Sequence, residues 1–284
     1  MVSEEFEING KFLKIATIED EWYQDVEDPE KIITKIKQNT DNIDIFSFWQ
    51  RLPDTKPKYQ YYFEYEYIAA LPITDFDTWY NTQISSRVRN QIKKSEKKGI
   101  VIRHSEFDDD FVRGMTDIFN ESPVRQGRPF WHYGKSFEVV KKQFSRYLFR
   151  EEMIGAYLDN ELVGFIMLGH ADNYAIPGQI ISKIEHRDKN ISNALIAGAV
   201  KICEEQKIPH LVYFFWGDGG LAEFKRRNGF IRTGLPRYYI PLSFKGWLFL
   251  KLKLHHGLKN FIPDRLMLKL KDLRSKWYMS GLNE

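Results

Sequence analysis

From residue 100 onward the apolar positions switch repeatedly between period two and a period near 3.6, as strands interleaved with amphipathic helices do. Residues 100–107 read as a strand, and 108–122 ("DDDFVRGMTDIFNES") as a helix with acidic residues at its positive end. A loop covers 123–135, and 136–149 is a second predicted helix with Ser136 as its cap. Residues 153–170 divide into two strands about the turn Asp159-Asn160. A strand over 178–186 follows, then a helix over 192–206 in which Leu195, Ile196, Ala199, Val200, Ile202 and Cys203 share an apolar face. Residues 210–216 read as a buried strand, so this strand–helix–strand series predicts a right-handed parallel crossover. A short helix within 221–230 stops at Gly229, and a strand beginning at Ile231 closes the series.

The first hundred residues carry a different pattern. Residues 44–50 and 59–71 are aromatic and β-branched with partial alternation, and "RLPDTKPK" between them predicts a hairpin. After Pro72, one helix is expected from its cap Asp75 to its stop Gly99, with Phe76, Trp79, Ile84, Val88 and Ile92 loosely on one face. Beyond residue 241, Pro263 opens a predicted helix that aligns Leu266, Leu270, Leu273 and Trp277. Three segments are therefore expected: 1–99, 100–241 and 242–284.

Composition narrows the function classes. The chain is 43% hydrophobic and 15% aromatic, sufficient for a real core, and its net charge of +3 is too small to argue for nucleic acid alone. That charge is concentrated: residues 242–284 hold nine Lys/Arg against three Asp/Glu. A basic amphipathic tail of this kind either contacts an anionic membrane surface or packs on its own domain. Cys203 stands alone, which points to a reducing cytosol, and its place on an apolar helix face argues against cysteine catalysis. The acidic N-terminus lacks a signal-peptide core, and no uncharged apolar run reaches membrane-spanning length. A cytoplasmic protein is expected, peripheral to the inner membrane face if the tail docks there. No His/Cys/Asp/Glu set has metal-ligand spacing, so no metal is expected.

Several residues carry candidate chemistry. The stretch "HRDKNISNALIAG" (186–198) enters a helix, whose N-terminus offers unpaired backbone N–H groups and partial positive charge to an anion. Arg187 and Lys189 add cationic side chains, yet no glycine occurs before Gly198. The alternative is a plain Asn or Ser cap on a core helix. The 123–135 loop is long for a helix–helix connection, as lids and binding loops are. It combines Arg125, Arg128, Trp131, His132 and Tyr133, preceded by Glu121. Two arginines favour an anionic acceptor, and Glu121 or His132 is placed to take a proton from an attacking amine or hydroxyl. His186 is a second base candidate at a strand end, and Tyr133, Tyr238 and Tyr239 are candidate acids. The helix 85–98 carries Arg87, Arg89, Lys93, Lys94, Lys97 and Lys98, either a solvated face or a contact for a phosphorylated or tRNA partner.

The element order from 100 to 241, with Glu-Leu-Val-Gly-Phe-Ile at 161–166 and Lys-Arg-Arg-Asn-Gly-Phe at 225–230, resembles the GNAT superfamily of acyl-CoA N-acyltransferases. That resemblance implies an α/β fold of the α+β kind: a mixed, largely antiparallel sheet flanked by helices. It also implies acyl-CoA (acetyl-CoA) as co-substrate. Its pyrophosphate loop would correspond to Arg187, Asp188, Lys189, Asn190, Ile191, Ser192 and Asn193, where Asn190 and Ser192 replace the usual glycines. "SSRVRNQIKKSEKKGIVIR" (85–103) is similar to a segment of the FemAB-like branch, and so is the Phe-Lys of "EFKRRNGF". There Lys225 would stabilise charge where ordinary GNAT enzymes often place a tyrosine. The expected activity is direct acyl transfer to an amine or hydroxyl of a small-molecule, saccharide or peptide acceptor. The alternatives are an aminoacyl-tRNA-dependent aminoacyltransferase, which would add a nucleic-acid partner, and a non-catalytic module that binds a membrane or a protein.

Overall fold

A computed structural model describes residues 6–39, 42–125 and 127–256. The predicted helix after Pro263 lies outside the described residues. In chain order the elements are β1 (Phe6–Asn9), β2 (Ile15–Ile18), α1 (Pro29–Asn39), β3 (Ile45–Trp49) and β4 (Tyr62–Pro72). Next come α2 (Phe76–Thr78), α3 (Ser86–Lys97), β5 (Val101–Ser105), α4 (Asp109–Asn120), and two short strands, β6 (Val124–Arg125) and β7 (Arg128–Pro129). The rest are α5 (Phe137–Phe144), β8 (Glu151–Leu158), β9 (Glu161–Ala171), β10 (Tyr174–Ser182), α6 (Ile191–Glu205), β11 (His210–Phe215), α7 (Gly219–Arg227), β12 (Ile231–Pro241) and α8 (Phe244–Lys251). The chain forms two compact units, Tyr67–Thr233 and a second made of 1–66 with 234–284.

In the Tyr67–Thr233 unit the strand order is β4-β11-β10-β9-β8-β5. Every pairing is antiparallel except β10 with β11. This is the expected mixed, largely antiparallel sheet, and its parallel pair is the one the crossover helix α6 demands. Alternation along the strands splits the core. Ile154, Ala156, Ile166 and Leu168 pack with α3 and α6, whereas Met153, Phe165 and Met167 pack with α4 and α5. The β8–β9 turn places Asp159 and Asn160 at φ 50° and 68°, so two short polar residues supply the left-handed turn without glycine.

Three expectations are corrected here. The single helix after Asp75 is interrupted: a π-helical turn spans Trp79–Gln83, Ile84 is extended, and Ser85 caps a new helix by accepting from Val88 N at 3.3 Å. Trp79 forces the break, since it is fully buried and its indole N–H donates to Asn228 O at 3.0 Å. Arg89 then covers the exposed helix end through Tyr80 O, Asn81 O and Ile84 O. The strand expected over 178–186 ends at Ser182. His186 therefore sits in a loop rather than at a strand end.

In the second unit the order is β1-β2-β3-β12-β4, so β3 and β4 are not hairpin partners. β12 lies between them, with Tyr238 opposite Phe48 in the antiparallel register. The Tyr238 hydroxyl accepts from Lys58 N at 2.8 Å and donates to Gln50 Oε1 at 2.8 Å, organising the connection that local sequence suggested was a turn. α1, β1 and β2 were not apparent from local pattern; Ile32, Ile33 and Ile36 of α1 pack on Phe46, Phe48 and Tyr238.

Candidate functional site

The parallel pairing of β10 with β11 is in register only at Ala175↔Leu211. Farther along, β11 breaks register with β4 between Val212 and Phe215, with Phe214 at φ 45°. Ile180 and Tyr213, beyond the paired point on each strand, line a pocket of about 650 Å³. The carboxyl end of diverging parallel strands is where open α/β sheets place ligands. The remaining wall comes from Arg125 and Arg128, Ser192 at the start of α6, and Asp218, Gly220, Leu221 and Phe224 of the α7 entry.

Lys225 stands behind this wall. It is 2% exposed, its ammonium donates to Phe215 O, and Nζ lies 4.4 Å from the centroid of the pocket-lining Tyr213 ring. Burial pulls its pKa down to about 8, so a desolvated cation with an accessible titration abuts the pocket. It is thus not the solvated neighbour of Arg226 and Arg227 that helix position alone would allow. α7 turns outward at its end instead: Gly229 adopts φ 89°, and Phe230 N returns to Lys225 O at 3.1 Å.

The 186–193 loop has a definite construction. A 3₁₀ turn covers Arg187–Lys189, and Asn190 takes the left-handed conformation at φ 56° from which α6 starts. Asparagine tolerates that region, so it does here what a glycine does elsewhere. Its side chain does not cap the helix; Nδ2 donates to Asp188 O at 3.2 Å, correcting the expected Asn cap. Asp188 pairs with Lys98, and His186 Nδ1 lies 3.1 Å from Lys189 Nζ. Ile191 and Asn193 point inward and are buried, while Arg187 is exposed. Asn193 donates to Gln91 Oε1 and accepts from Asn228 Nδ2, both at 3.1 Å. Of the seven expected loop residues, only Ser192 lines the pocket.

Glu121 and Arg125 form a second construction. The Arg125 guanidinium donates to Ser182 O, Ile118 O and Glu121 Oε2, and burial lowers its pKa. Glu121 also accepts from Ile184 N at 2.6 Å and Glu185 N at 3.0 Å. This pair ties the end of α4 to the chain leaving β10, and Arg125 is part of the pocket lining. His132 is elsewhere: it stacks on Phe119 with centroids 4.5 Å apart and lines a separate cavity with Gln143, Gly178 and Gln179. Burial, then the neighbouring Lys135, pull its pKa down to about 4. Trp131 and Tyr133 are exposed, at 81% and 45%, and neither reaches the pocket. Tyr238 and Tyr239 belong to the other unit.

Sequence reasoning missed Tyr213, Asp218, Leu221 and Phe224. The signal available was "WGDGG" (216–220), directly after a buried strand; Gly217 and Gly219 adopt φ 71° and 62°. Cys203 is buried, with its thiol pushed up to about 12, as expected of a core residue.

No family model and no curated protein matches the chain in sequence. Solved structures do match. The C-terminal domain of a protein assigned as a lysylphosphatidylglycerol synthetase from Agrobacterium fabrum is 11% identical, covers 88% of this chain and 84% of its own, and superposes with a TM-score of 0.58. FemX is 11% identical over 84% of each chain with a TM-score of 0.57. L-PGS from Bacillus licheniformis is 13% identical, covering 88% and 85%, with a TM-score of 0.55. At these identities the likeness is one of fold. The fold is GNAT-like with a FemAB-like resemblance, and the likeness covers 84–88% of this chain.

Proposed function

We propose that the protein is an acyltransferase, moving an acyl group from an activated donor to an amine or hydroxyl of a polar, anionic acceptor in the β10–β11 pocket. The observation that carries this reading is Lys225, a buried cation against the pocket-lining Tyr213 ring. The acceptor's nitrogen or oxygen attacks the donor carbonyl carbon, and the carbonyl electron pair moves to oxygen. That oxyanion collapses and expels the leaving group, while the acceptor loses one proton and the leaving group gains one. A fixed positive charge behind a desolvated wall favours both anionic stages, because it needs no reorganisation as charge develops. The positive charge of Arg125 and Arg128 in the lining suits an acceptor carboxylate or phosphate. We assign Glu121 to holding the loop, since its oxygens already accept from Arg125, Ile184 and Glu185. His132, His186 and Tyr133 do not line the pocket.

The first reading of the donor is acyl-CoA. Ser192 and the N-terminus of α6 share the pocket with two arginines, and a helix N-terminus of this length favours pyrophosphate. A second reading, an aminoacyl-tRNA donor, is favoured by the loop's inward-turned Asn193 and by exposed Arg87, Lys93, Lys94 and Lys97 on α3. The structural likeness to FemX and the lysylphosphatidylglycerol synthetase domain supports it too. Calorimetry of the full chain with acetyl-CoA, longer acyl-CoAs and charged tRNA separates the two. Heat from a CoA thioester alone supports the first donor and heat from charged tRNA alone the second. Silence from all of them, with no transfer, leaves a binding module and overturns the enzymatic reading.

We also propose peripheral contact with the inner face of an anionic membrane. Among the described residues no helix is long and apolar enough to span a bilayer. α8 and the turn after it expose Phe244, Trp247, Leu248 and Leu252 beside the exposed Lys251 and Lys253. This is the composition of an interfacial element.

A further inference from the structure

Glu64 of β4 meets two consecutive histidines that follow α8. Its Oε2 lies 2.6 Å from His256 Nε2, and its Oε1 lies 3.2 Å from His255 Nε2. One ligand atom from each of the three residues falls within 4.8 Å of the others. The His255 side chain has no exposed surface, yet among the described residues neither of its ring nitrogens has a hydrogen-bond partner. Nε2 is within ion-pair distance of Glu64 Oε1 but does not hydrogen-bond to it. Buried polar nitrogens are seldom left in that state. Two donor atoms that approach closely without pointing at each other are the arrangement of co-ligands aimed at a common cation.

The distances agree with that reading. In a tetrahedral zinc site with bonds near 2.0–2.1 Å, neighbouring ligand atoms stand roughly 3.3 Å apart. His255 Nε2 stands at this separation from Glu64 Oε1, and His256 Nε2 stands 2.6 Å from the other carboxylate oxygen, Oε2. Tyr62 supplies an outer partner, its hydroxyl donating to Glu64 Oε1 at 2.6 Å. The His255 ring is held by edge contacts with Tyr62 and Tyr239, at 6.0 and 4.6 Å between centroids. Glu64 and His256 are each about one-third exposed (31% and 33%), which leaves the fourth position open to water.

We propose that Glu64, His255 and His256 bind one zinc-class divalent cation, with water completing the shell, and that the ion clamps the turn after α8 to β4. Two imidazoles and one carboxylate select such an ion over magnesium or calcium, which need oxygen ligands.

The test uses the untagged full chain, stripped with chelator and titrated calorimetrically with Zn²⁺ and separately with Mg²⁺. One Zn²⁺ per chain, no Mg²⁺ binding, and a zinc-dependent rise in melting temperature are expected. Glu64→Gln and His256→Ala each weaken Zn²⁺ binding more than about 10-fold, and Tyr62→Phe weakens it less. Co²⁺ gives a visible tetrahedral absorption band that both ligand variants lose. Glu64→Gln is nearly isosteric and keeps the test decisive should His256→Ala fail to fold. Absence of Zn²⁺ binding, equal Mg²⁺ binding, or unchanged affinity in both ligand variants overturns the proposal.

Discussion

Asn228 Nδ2 donates to Asn193 Oδ1 across 3.1 Å where both side chains are buried, fastening the end of α7 to the start of α6. The same Nδ2 also donates to Phe224 O, and Asn193 continues the chain to Gln91 on α3. Ser192, next to Asn193, and Lys225, on the last turn before Asn228, are thereby fixed to one another. Replacing Asn228 with Ala strands a buried acceptor and is expected to destabilise the protein by about 1–3 kcal/mol. A double-mutant cycle with Asn193→Ala in urea denaturation checks it. Strictly additive losses contradict a direct bond.

Lys225 gives the pH dependence. Its folded pKa of about 8 lies below the ordinary lysine value, so the ammonium is retained below pH 8 and lost as pH rises through it. If the ammonium is the active form, kcat/KM falls above about pH 8. Lys225→Met is expected to lose about 10²–10³ in rate and to abolish that limb, while Lys225→Arg moves the limb upward. A wild-type profile that rises through pH 8 reverses the assignment and makes the neutral amine the working form.

Glu121 and His132 were alternative bases in sequence, and the structure separates them. Glu121→Gln turns an acceptor into a donor facing Arg125 and two backbone N–H groups, so it should destabilise the fold by about 1–3 kcal/mol and raise KM. His132→Phe, in its aromatic nest beside Phe119, is expected to leave kcat/KM within about threefold. Steady-state kinetics decide this: a collapse of kcat in the His132 variant with normal folding restores it as a base.

How much of this was legible follows from where each signal lay. β8, β9 and their Asp159-Asn160 turn announce themselves through neighbouring residues. So do α6 and the Ser136 cap, which accepts from Val139 N as its sequence suggests. The β3–β4 hairpin misled because the competing partner, β12, lies some 180 residues away and wins through Tyr238. Helix periodicity ran straight through Ile84 because it cannot register the burial of Trp79 against Asn228. At the site, Lys225 came from the family resemblance, and residue type gave the two arginines. It did not show that Asn193 turns inward or that His132 serves another cavity, since side-chain direction depends on packing. The Glu64–His255–His256 cluster is illegible to any spacing rule, because its carboxylate is far from its histidines in sequence.

α8 supplies a prediction about surfaces. The full chain should sediment with vesicles containing an anionic phospholipid and stay in solution with neutral ones, with binding falling as salt rises. Phe244→Ser with Trp247→Ser should weaken it by removing apolar insertion, and Lys251→Glu with Lys253→Glu by removing attraction. Equal binding to neutral vesicles, or indifference to both pairs, points to packing within the protein instead.

Gly164 explains the glycine in "ELVGFIM". A Cβ there would stand 2.8 Å from Ile191 Cγ2, 3.0 Å from Ile181 O and 3.0 Å from Ser182 Cβ. The missing side chain is thus what lets the first residue of α6, and with it the loop from 186 to 190, settle on β9. Because Ile181 O is backbone, the clash is not relieved by a rotamer change alone. Gly164→Ala is expected to cost about 1–3 kcal/mol through overpacking. It should also weaken ligand binding at Ser192 by shifting the helix start. Combining it with Ile191→Ala, which removes the nearest methyl, should recover part of the loss in a urea-denaturation cycle. If the double variant shows no recovery, the constraint lies in the Ile181–Ser182 backbone alone and Ile191 is not what the glycine accommodates.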